Sequence, residues 1–313
     1  MATVSTTHVE TYPVAGVRRR PRWRRFSYLP YLLALPILAY EAVFILYPIY
    51  QGIDSSFTKQ TTGKPATWVG LDNYRRLLHD GNFWHSVLQT IIYMVAVIIV
   101  AIGFGLGSAL LLNRPFHGRT AARATMTLPW AFPDVPTVLV FIWIFNPNFG
   151  IANRLTGTIP FVDEHQKWLI DPHLAMPLVV LITAWKGFPF YSLVILAALQ
   201  TVPHELTEAA RVDGANKVQA FWAVTLPCIS PTLLLLTVLA AIFSFKQFTL
   251  VFLLTGGGPG GATDTLVVRI YQTAFRFHNF PYAATIGVAS FVMVVTIALL
   301  FLAVQRRQEM AVS

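Results

Sequence analysis

Pro203-His204-Glu205-Leu206-Thr207-Glu208-Ala209-Ala210-Arg211-Val212-Asp213-Gly214-Ala215-Asn216-Lys217, continuing through Trp222 to Thr225-Leu226-Pro227, separates two long apolar runs. Proline at 203 suits the first turn of a helix, where its missing N–H is no loss. Glu205 and Glu208 fall near that helix N-terminus, where the macrodipole favours acids. Gly214 stops the helix, because glycine accepts the left-handed conformation. A second short helix is predicted up to Thr225, with Pro227 marking its exit toward the next apolar run. Leu206, Ala209 and Ala210 give the first helix a small apolar face, and alanines let a partner approach closely. An interfacial connector between two spans would carry the same pattern, so the pattern alone leaves both readings open.

Outward from this loop, apolar runs lie at about 29–50, 86–112, 125–145, 174–199, 231–254 and 283–304. Each is near the roughly 20 residues that a bilayer core requires. The 313 residues are 55% hydrophobic and 12% charged, against about 25% charged in soluble domains. A soluble protein this apolar would need to bury nearly all of its surface, which surface-to-volume scaling forbids. The predicted fold class is all-α, a polytopic membrane protein with six transmembrane helices. Residues 1–28 form a basic tail predicted to be disordered, 29–304 the membrane domain with the loop 200–230 inside it, and 305–313 a short tail. The first run contains Glu41 and is longer than a signal-peptide core, so it reads as an uncleaved span. Pro129, Pro133, Asp134 and Pro136 break the start of the third run, which predicts a kinked entry.

Six spans put both termini on one side. That side carries thirteen Lys and Arg, including Arg114, Arg119 and Arg123 in one short segment, against eight in the opposite loops. The positive-inside rule then sets both termini in the cytoplasm. The net charge of +9 sits at membrane-flanking ends, where it serves topology and lipid headgroups and not nucleic acid. One cysteine, Cys228, excludes an intrachain disulfide. No GxxxxGK[ST] loop is present, so the chain cannot hydrolyse ATP by that mechanism. The glycine-rich stretch Thr255 to Gly261 lacks the Lys-Ser/Thr of a phosphate loop and is predicted to form flexible external turns that contact a binding protein. No His/Cys cluster has metal-ligand spacing, and no residue is assigned a catalytic role.

The loop resembles the permease signature of ATP-binding-cassette importers: Glu208-Ala209-Ala210, three residues, Gly214, nine residues, Val224, one residue, Leu226-Pro227. Val224 is the one departure, from a more usual isoleucine. The resemblance extends from about residue 29 to 304. Tyr47-Pro48-Ile49-Tyr50, Gly70-Leu71-Asp72-Asn73-Tyr74, Phe83-Trp84, Asn146-Pro147 with Gly150, Ala198-Leu199-Gln200 and Leu254 to Pro259 look like the first permease subunit of carbohydrate importers of the maltose/glycerol-phosphate type. The resemblance implies a type I importer permease fold in a bacterial or archaeal cytoplasmic membrane. It implies that Glu208, Ala209, Ala210, Asp213, Gly214, Leu226 and Pro227 couple to a separate ATPase dimer, in which ATP and Mg reside, with no cofactor in this chain. It also implies a second permease subunit as heterodimer partner and an extracytoplasmic sugar-binding protein. The large external insertion and extra N-terminal spans of the maltose permease itself are absent.

Intramembrane polar residues are costly and functional by default. Ala240, Phe243, Ser244 and Gln247 share one helix face in the fifth run, with Thr249 about a turn further on. Trp185 to Tyr191 put Lys186, Gly187, Phe188, Pro189 and Phe190 mid-span in the fourth. Aromatic faces for sugar rings and polar groups for hydroxyls suit a saccharide, although helix packing uses the same residue types. The resemblance implies Gly187, Phe190, Phe243, Ser244, Gln247 and Thr249 as the substrate pathway. Ala240 and Ser244 depart from the polar and amide residues usual there, which leaves the sugar open. Lys186 and Lys246 are read as snorkelling or pairing with an acid such as Asp134, ahead of binding an anion such as a sugar phosphate. The rival readings are an ion-coupled carrier using Asp134, Lys186 and Lys246, and a membrane enzyme or scaffold. The first leaves the 208–227 spacing unexplained, and no convergent catalytic set supports an enzyme.

Overall fold

The computed structural model describes residues 29–60, 65–158 and 166–312, with side chains described between 31 and 303. The basic tail 1–28 lies outside the described residues. The chain divides into two units, Met1–Pro48 and Ile49–Ser313. In the first, α1 (Leu29–Glu41) contains Pro36 and passes into a π-helical turn, Ala42–Leu46, before α2 (Tyr47–Ser56) begins. Leu32, Leu38, Phe44 and Leu46 are all exposed, the all-round apolar surface of a helix that faces hydrocarbon.

The second unit is built on α4 (Gly81–Asn113) and α8 (Pro172–Gln200). Tyr93, Val97, Ala101, Gly105 and Ala109 recur every four residues and are all buried. This stripe faces α8, and a Cβ at Gly105 would come within 2.9 Å of Tyr191 Cβ. Small residues let the two backbones approach, which is how helices associate in lipid, where the hydrophobic effect offers no gain. Tyr93 Oη donates to Thr183 Oγ1 at 2.9 Å and Ser108 Oγ to Ser192 Oγ at 2.9 Å, pinning the pair at two levels. A second apolar cluster joins Phe83 and Met94 of α4 to Ala241, Phe245, Tyr282 and Ile286 of the helices that follow.

Among the described residues, five helical stretches are long and apolar enough to cross a membrane, and a bent pair raises this to six if it counts as one span. The pair is α5 (Arg119–Ala131) and α6 (Asp134–Ile144), which meet at 95°. The third run at 125–145 is therefore not one helix. Phe132 precedes Pro133, whose ring excludes the helical conformation before it, and Phe132 is extended at ψ 137°.

The fifth run also differs from its prediction of 231–254. After α9 (His204–Val212), α10 (Lys217–Ala220) passes through a π-helical turn, Phe221–Thr225, into α11 (Leu226–Phe245). The candidate span is Lys217–Phe245. Pro227 is no exit; it sits in the first turn of α11. Pro231 cannot donate to the Pro227 carbonyl, but Ser230 Oγ does so at 2.9 Å, so the helix continues through both prolines. It stops at Phe245, and α12 (Thr249–Thr255) begins after a break.

Short elements finish the unit: β1 (Thr58–Lys59) paired antiparallel with β2 (Thr67–Trp68), α3 (Asp72–Leu78), α7 (Ile151–Thr156), α13 (Leu266–Tyr271) and α14 (Phe280–Val312). The helix α14 runs on through 305–312, where a short tail was predicted.

Candidate functional site

A cavity of about 360 Å³ opens where the bend of the third span, the middle of α8 and the end of α11 converge. That volume lies in the range of small-molecule sites. Gly187, Phe190, Phe243, Ser244 and Gln247 all line it, together with Asp134, Lys186, Tyr191 and Lys246. Thr249 does not line it; it stands on the first turn of α12, beyond the break, and its neighbour Leu250 reaches the cavity instead. Ala240 is fully buried in the main apolar cluster and does not line the cavity. Trp130, Thr183, Val97 and Ala101 complete much of the wall and were not singled out from the sequence. Trp130 could have been found: it stands two residues before the Phe132-Pro133 break that turns the chain toward α8.

The two cations of the cavity differ. Lys186 Nζ is 3.2 Å from Asp134 Oδ1 and donates to the Phe132 carbonyl at 2.6 Å. Lys246 follows the last residue of α11, and its Nζ lies 5.0 Å from the centroid of the Phe243 ring. No carboxylate pairs with Lys246 among the described residues. Phe243 is half-exposed and Ser244 buried, so α11 offers the cavity an aromatic face beside polar groups. The wall thus offers a cation, an aromatic face and an amide side by side.

On the loop, α9 buries none of its residues. Glu208 and Ala209 are exposed, Ala210 is half-buried, and the apolar Val212 is 88% exposed. Gly214 adopts φ +87°, and Gly214 and Ala215 donate to the Arg211 and Ala210 carbonyls at 3.0 and 2.9 Å. This closes the helix end in the way that glycine permits. Asp213, also exposed, is the residue that caps it. Asn216 then starts the next helix: its Oδ1 accepts from Val218 and Gln219, while Gln219 Oε1 accepts from the Asn216 N–H at 2.8 Å. This capping box fixes the turn angle. Leu226 and Pro227 lie beyond the π-helical turn at the head of α11, Leu226 half-buried and Pro227 exposed.

The glycine-rich stretch is not a flexible turn. Thr255 and Thr263 hydroxyls are 2.6 Å apart, Thr263 donates to the Gly258 carbonyl, and Gln272 donates to the Gly256 carbonyl at 2.7 Å. Gly256, Gly257, Gly260 and Gly261 all have positive φ, so they supply conformation, not mobility. Beside them Asp264 is buried in an ion pair with Arg269 and accepts from Ser86 Oγ at 3.1 Å. Burial raises its carboxyl above the ordinary value, with Arg269 and Ser86 pulling the other way.

The family model described as "Binding-protein-dependent transport system inner membrane component" matches residues 101–312. The sulfoquinovosyl glycerol transport system permease protein SmoG of Agrobacterium fabrum is 33% identical over 299 residues, 93% of this chain and 96% of its own. The trehalose/maltose transport system permease protein MalF of Thermococcus litoralis is 33% identical over 286 residues, 90% and 95% of the two chains. Among solved structures, a bacterial alginate ABC transporter in complex with alginate pentasaccharide-bound periplasmic protein has a chain of the same fold. Its TM-score is 0.77 at 24% identity, covering 90% of this chain and 94% of that one. A bent third span, an exposed helix-turn-helix carrying Glu208-Ala209-Ala210 and Gly214, and a match over two-thirds of the sequence agree: the chain belongs to the binding-protein-dependent inner membrane components, the multi-pass permease subunits of ATP-binding-cassette importers.

Proposed function

We propose that this permease forms half of the translocation pathway for a di- or oligosaccharide, and that the 208–227 loop couples it to a separate ATPase dimer. The observation that carries the reading is the cavity at the bend of the third span, where Phe190, Phe243, Ser244 and Gln247 come together. Aromatic faces stack on sugar rings, and the hydroxyl and amide groups pair with sugar hydroxyls. Relatives whose names specify sulfoquinovosyl glycerol and trehalose/maltose support a sugar cargo.

A second permease subunit completes the pathway, and an extracytoplasmic binding protein delivers the cargo, as the periplasmic protein bound to the alginate transporter suggests. Both termini face the cytoplasm, by the distribution of Lys and Arg. The exposed helix α9 then projects toward the ATPase, with Leu206 and Val212 as apolar contacts and Ala209 permitting close approach. ATP and Mg belong to that partner. Closure of the ATPase on ATP moves α9, and the helix that is continuous from Lys217 to Phe245 carries the motion toward Phe243 and Gln247.

The test is ATPase activity of the complete importer in proteoliposomes, with and without sugar-loaded binding protein. Glu208→Lys and Gly214→Pro are expected to abolish the sugar stimulation. Stimulation that survives in both variants refutes the coupling role of the loop.

A further inference from the structure

The cavity carries one positive charge more than it neutralises. Asp134, Lys186 and Lys246 are the charged groups lining it. Lys186 is compensated by Asp134, and its side chain is only 13% exposed. Lys246 is exposed, and among the described residues its one contact of electrostatic kind is the face of Phe243. A cation that only needed to escape the membrane would snorkel to an interface or find an acid. Lys246 instead sits at the break between α11 and α12, beside Ser244 and Gln247 on the cavity wall. The carboxyl end of α11 favours a cation there, but does not cancel a full charge.

Building on the reading of this cavity as the sugar site, we infer that the cargo is an acidic saccharide, with Lys246 as the residue that receives its anionic group. An ammonium is a compact point charge and pairs with carboxylate or sulfonate without demanding a fixed bidentate geometry. One uncompensated lysine matches a single negative charge. A phosphate monoester, at about −1.5 to −2 near neutral pH, would leave charge unpaired in a desolvated passage. Phe243 serves both parts of such a cargo: one face holds the Lys246 ammonium in place, and the half-exposed ring offers its remaining apolar surface to the sugar ring.

The experiment is equilibrium binding to the complete importer without its binding protein, so that only the membrane site is read. The probes are cellobiouronate with cellobiose and maltobiouronate with maltose, each acid beside its neutral parent. Wild type is expected to bind at least one acid about tenfold or more tighter than its parent. Lys246→Gln is expected to bring that ratio to about one, Lys246→Arg to keep it and Lys246→Glu to invert it. Equal binding of acid and parent by wild type, a ratio unchanged in Lys246→Gln, or no binding of any of the four overturns the inference. Phe243→Ala separates the two levels. If it weakens all binding while Lys246→Gln leaves the ratio alone, the site stands and the acidic cargo falls. If it leaves binding untouched, the cavity itself is not the sugar site.

Discussion

Lys186 ties the two arms of the broken third span together: its Nζ donates to the Phe132 carbonyl at 2.6 Å and lies 3.2 Å from Asp134 Oδ1. One side chain of α8 thus holds the end of α5 and the start of α6 at their 95° bend. Removing the acid leaves a lysine that is largely shielded from water without its counter-charge. Asp134 itself is about one-third exposed, so screening reduces the cost. Asp134→Asn is expected to destabilise the permease by about 1–3 kcal/mol, read as a lower thermal midpoint of the purified importer. The pair Asp134→Asn with Lys186→Met should recover part of that loss. A double variant no better than the single one would show that the bend does not depend on this pair.

Gly105 is a point of close approach between α4 and α8. A Cβ there would lie 2.9 Å from Tyr191 Cβ and 3.2 Å from the Ser192 backbone nitrogen, neither of which is a flexible tip. Gly105→Ala is expected to cost about 1–3 kcal/mol through overpacking, and Gly105→Leu to prevent assembly. Gly103, two residues away with nothing within 4 Å of its Cβ position, supplies the contrast. Gly103→Ala should leave the thermal midpoint within about a degree or two, or raise it, because alanine favours helix. Equal losses in Gly105→Ala and Gly103→Ala would contradict the close packing of the two spans.

Asp80 links the start of α4 to the start of α14. Burial pushes its carboxyl up, but the hydrogen bond from Tyr282, at 2.6 Å, the Asn82 and Phe83 amides and the Arg269 charge outweigh this and hold it below 3.8. A carboxyl that is a stronger acid in the folded state stabilises that state above its unfolded value, and the contribution is lost as pH falls through the folded value. Tyr282→Phe removes one of these donors. Its thermal midpoint is expected to lie below that of wild type at neutral pH, by about 1 kcal/mol of stability, with the gap closing as pH falls below 3.8. A gap that is the same at every pH would mean that the phenol acts by packing alone.

Much of this architecture is legible from local chemistry. The Pro133 bend follows from the exclusion of Phe132 from the helical region, and the turn at Gly214 follows from its need for positive φ. Many of the residues that carried the family resemblance have local structural roles. Asn73 Nδ2 bonds the Ser56 and Thr58 carbonyls, Tyr74 meets the Ser56 hydroxyl, and Gly150 sits where a Cβ would strike the Ile144 and Asn146 carbonyls. What escaped the sequence was decided by long-range compensation. Hydropathy alone carries the fifth run past Phe245 into α12, because the break at Lys246 is short and its flanks are equally apolar. The resemblance implied Thr249 for the pathway, about a turn beyond that face, and the break sets it on the first turn of α12, off the cavity wall. Pro227 signals an exit, but it lies in the first turn of α11, and Ser230 satisfies its carbonyl, which Pro231 strands. Pairing of Lys186 with Asp134 was among the readings open from sequence; that Lys246 has no such acid among the described residues depends on which elements converge at the cavity.

The coupling loop makes the sharpest local prediction. Asn216 and Gln219 hold each other's backbone through the reciprocal capping box, and the turn they fix sets α10 against α9. Asn216→Ala removes the acceptor for the Val218 and Gln219 amides and is expected to cost about 1 kcal/mol locally. The loss falls on the helix start and not on the membrane core, so global stability should hardly change while amide exchange at 218 and 219 accelerates about fivefold. If the loop transmits force, a softer joint between α9 and α10 also wastes part of each ATP cycle. The expected signature is a rise in ATP hydrolysed per sugar imported, with the basal ATPase rate retained. Faster exchange with an unchanged ratio would show that the rigidity of this turn is irrelevant to coupling. Unchanged exchange would show that the capping box does not hold the turn.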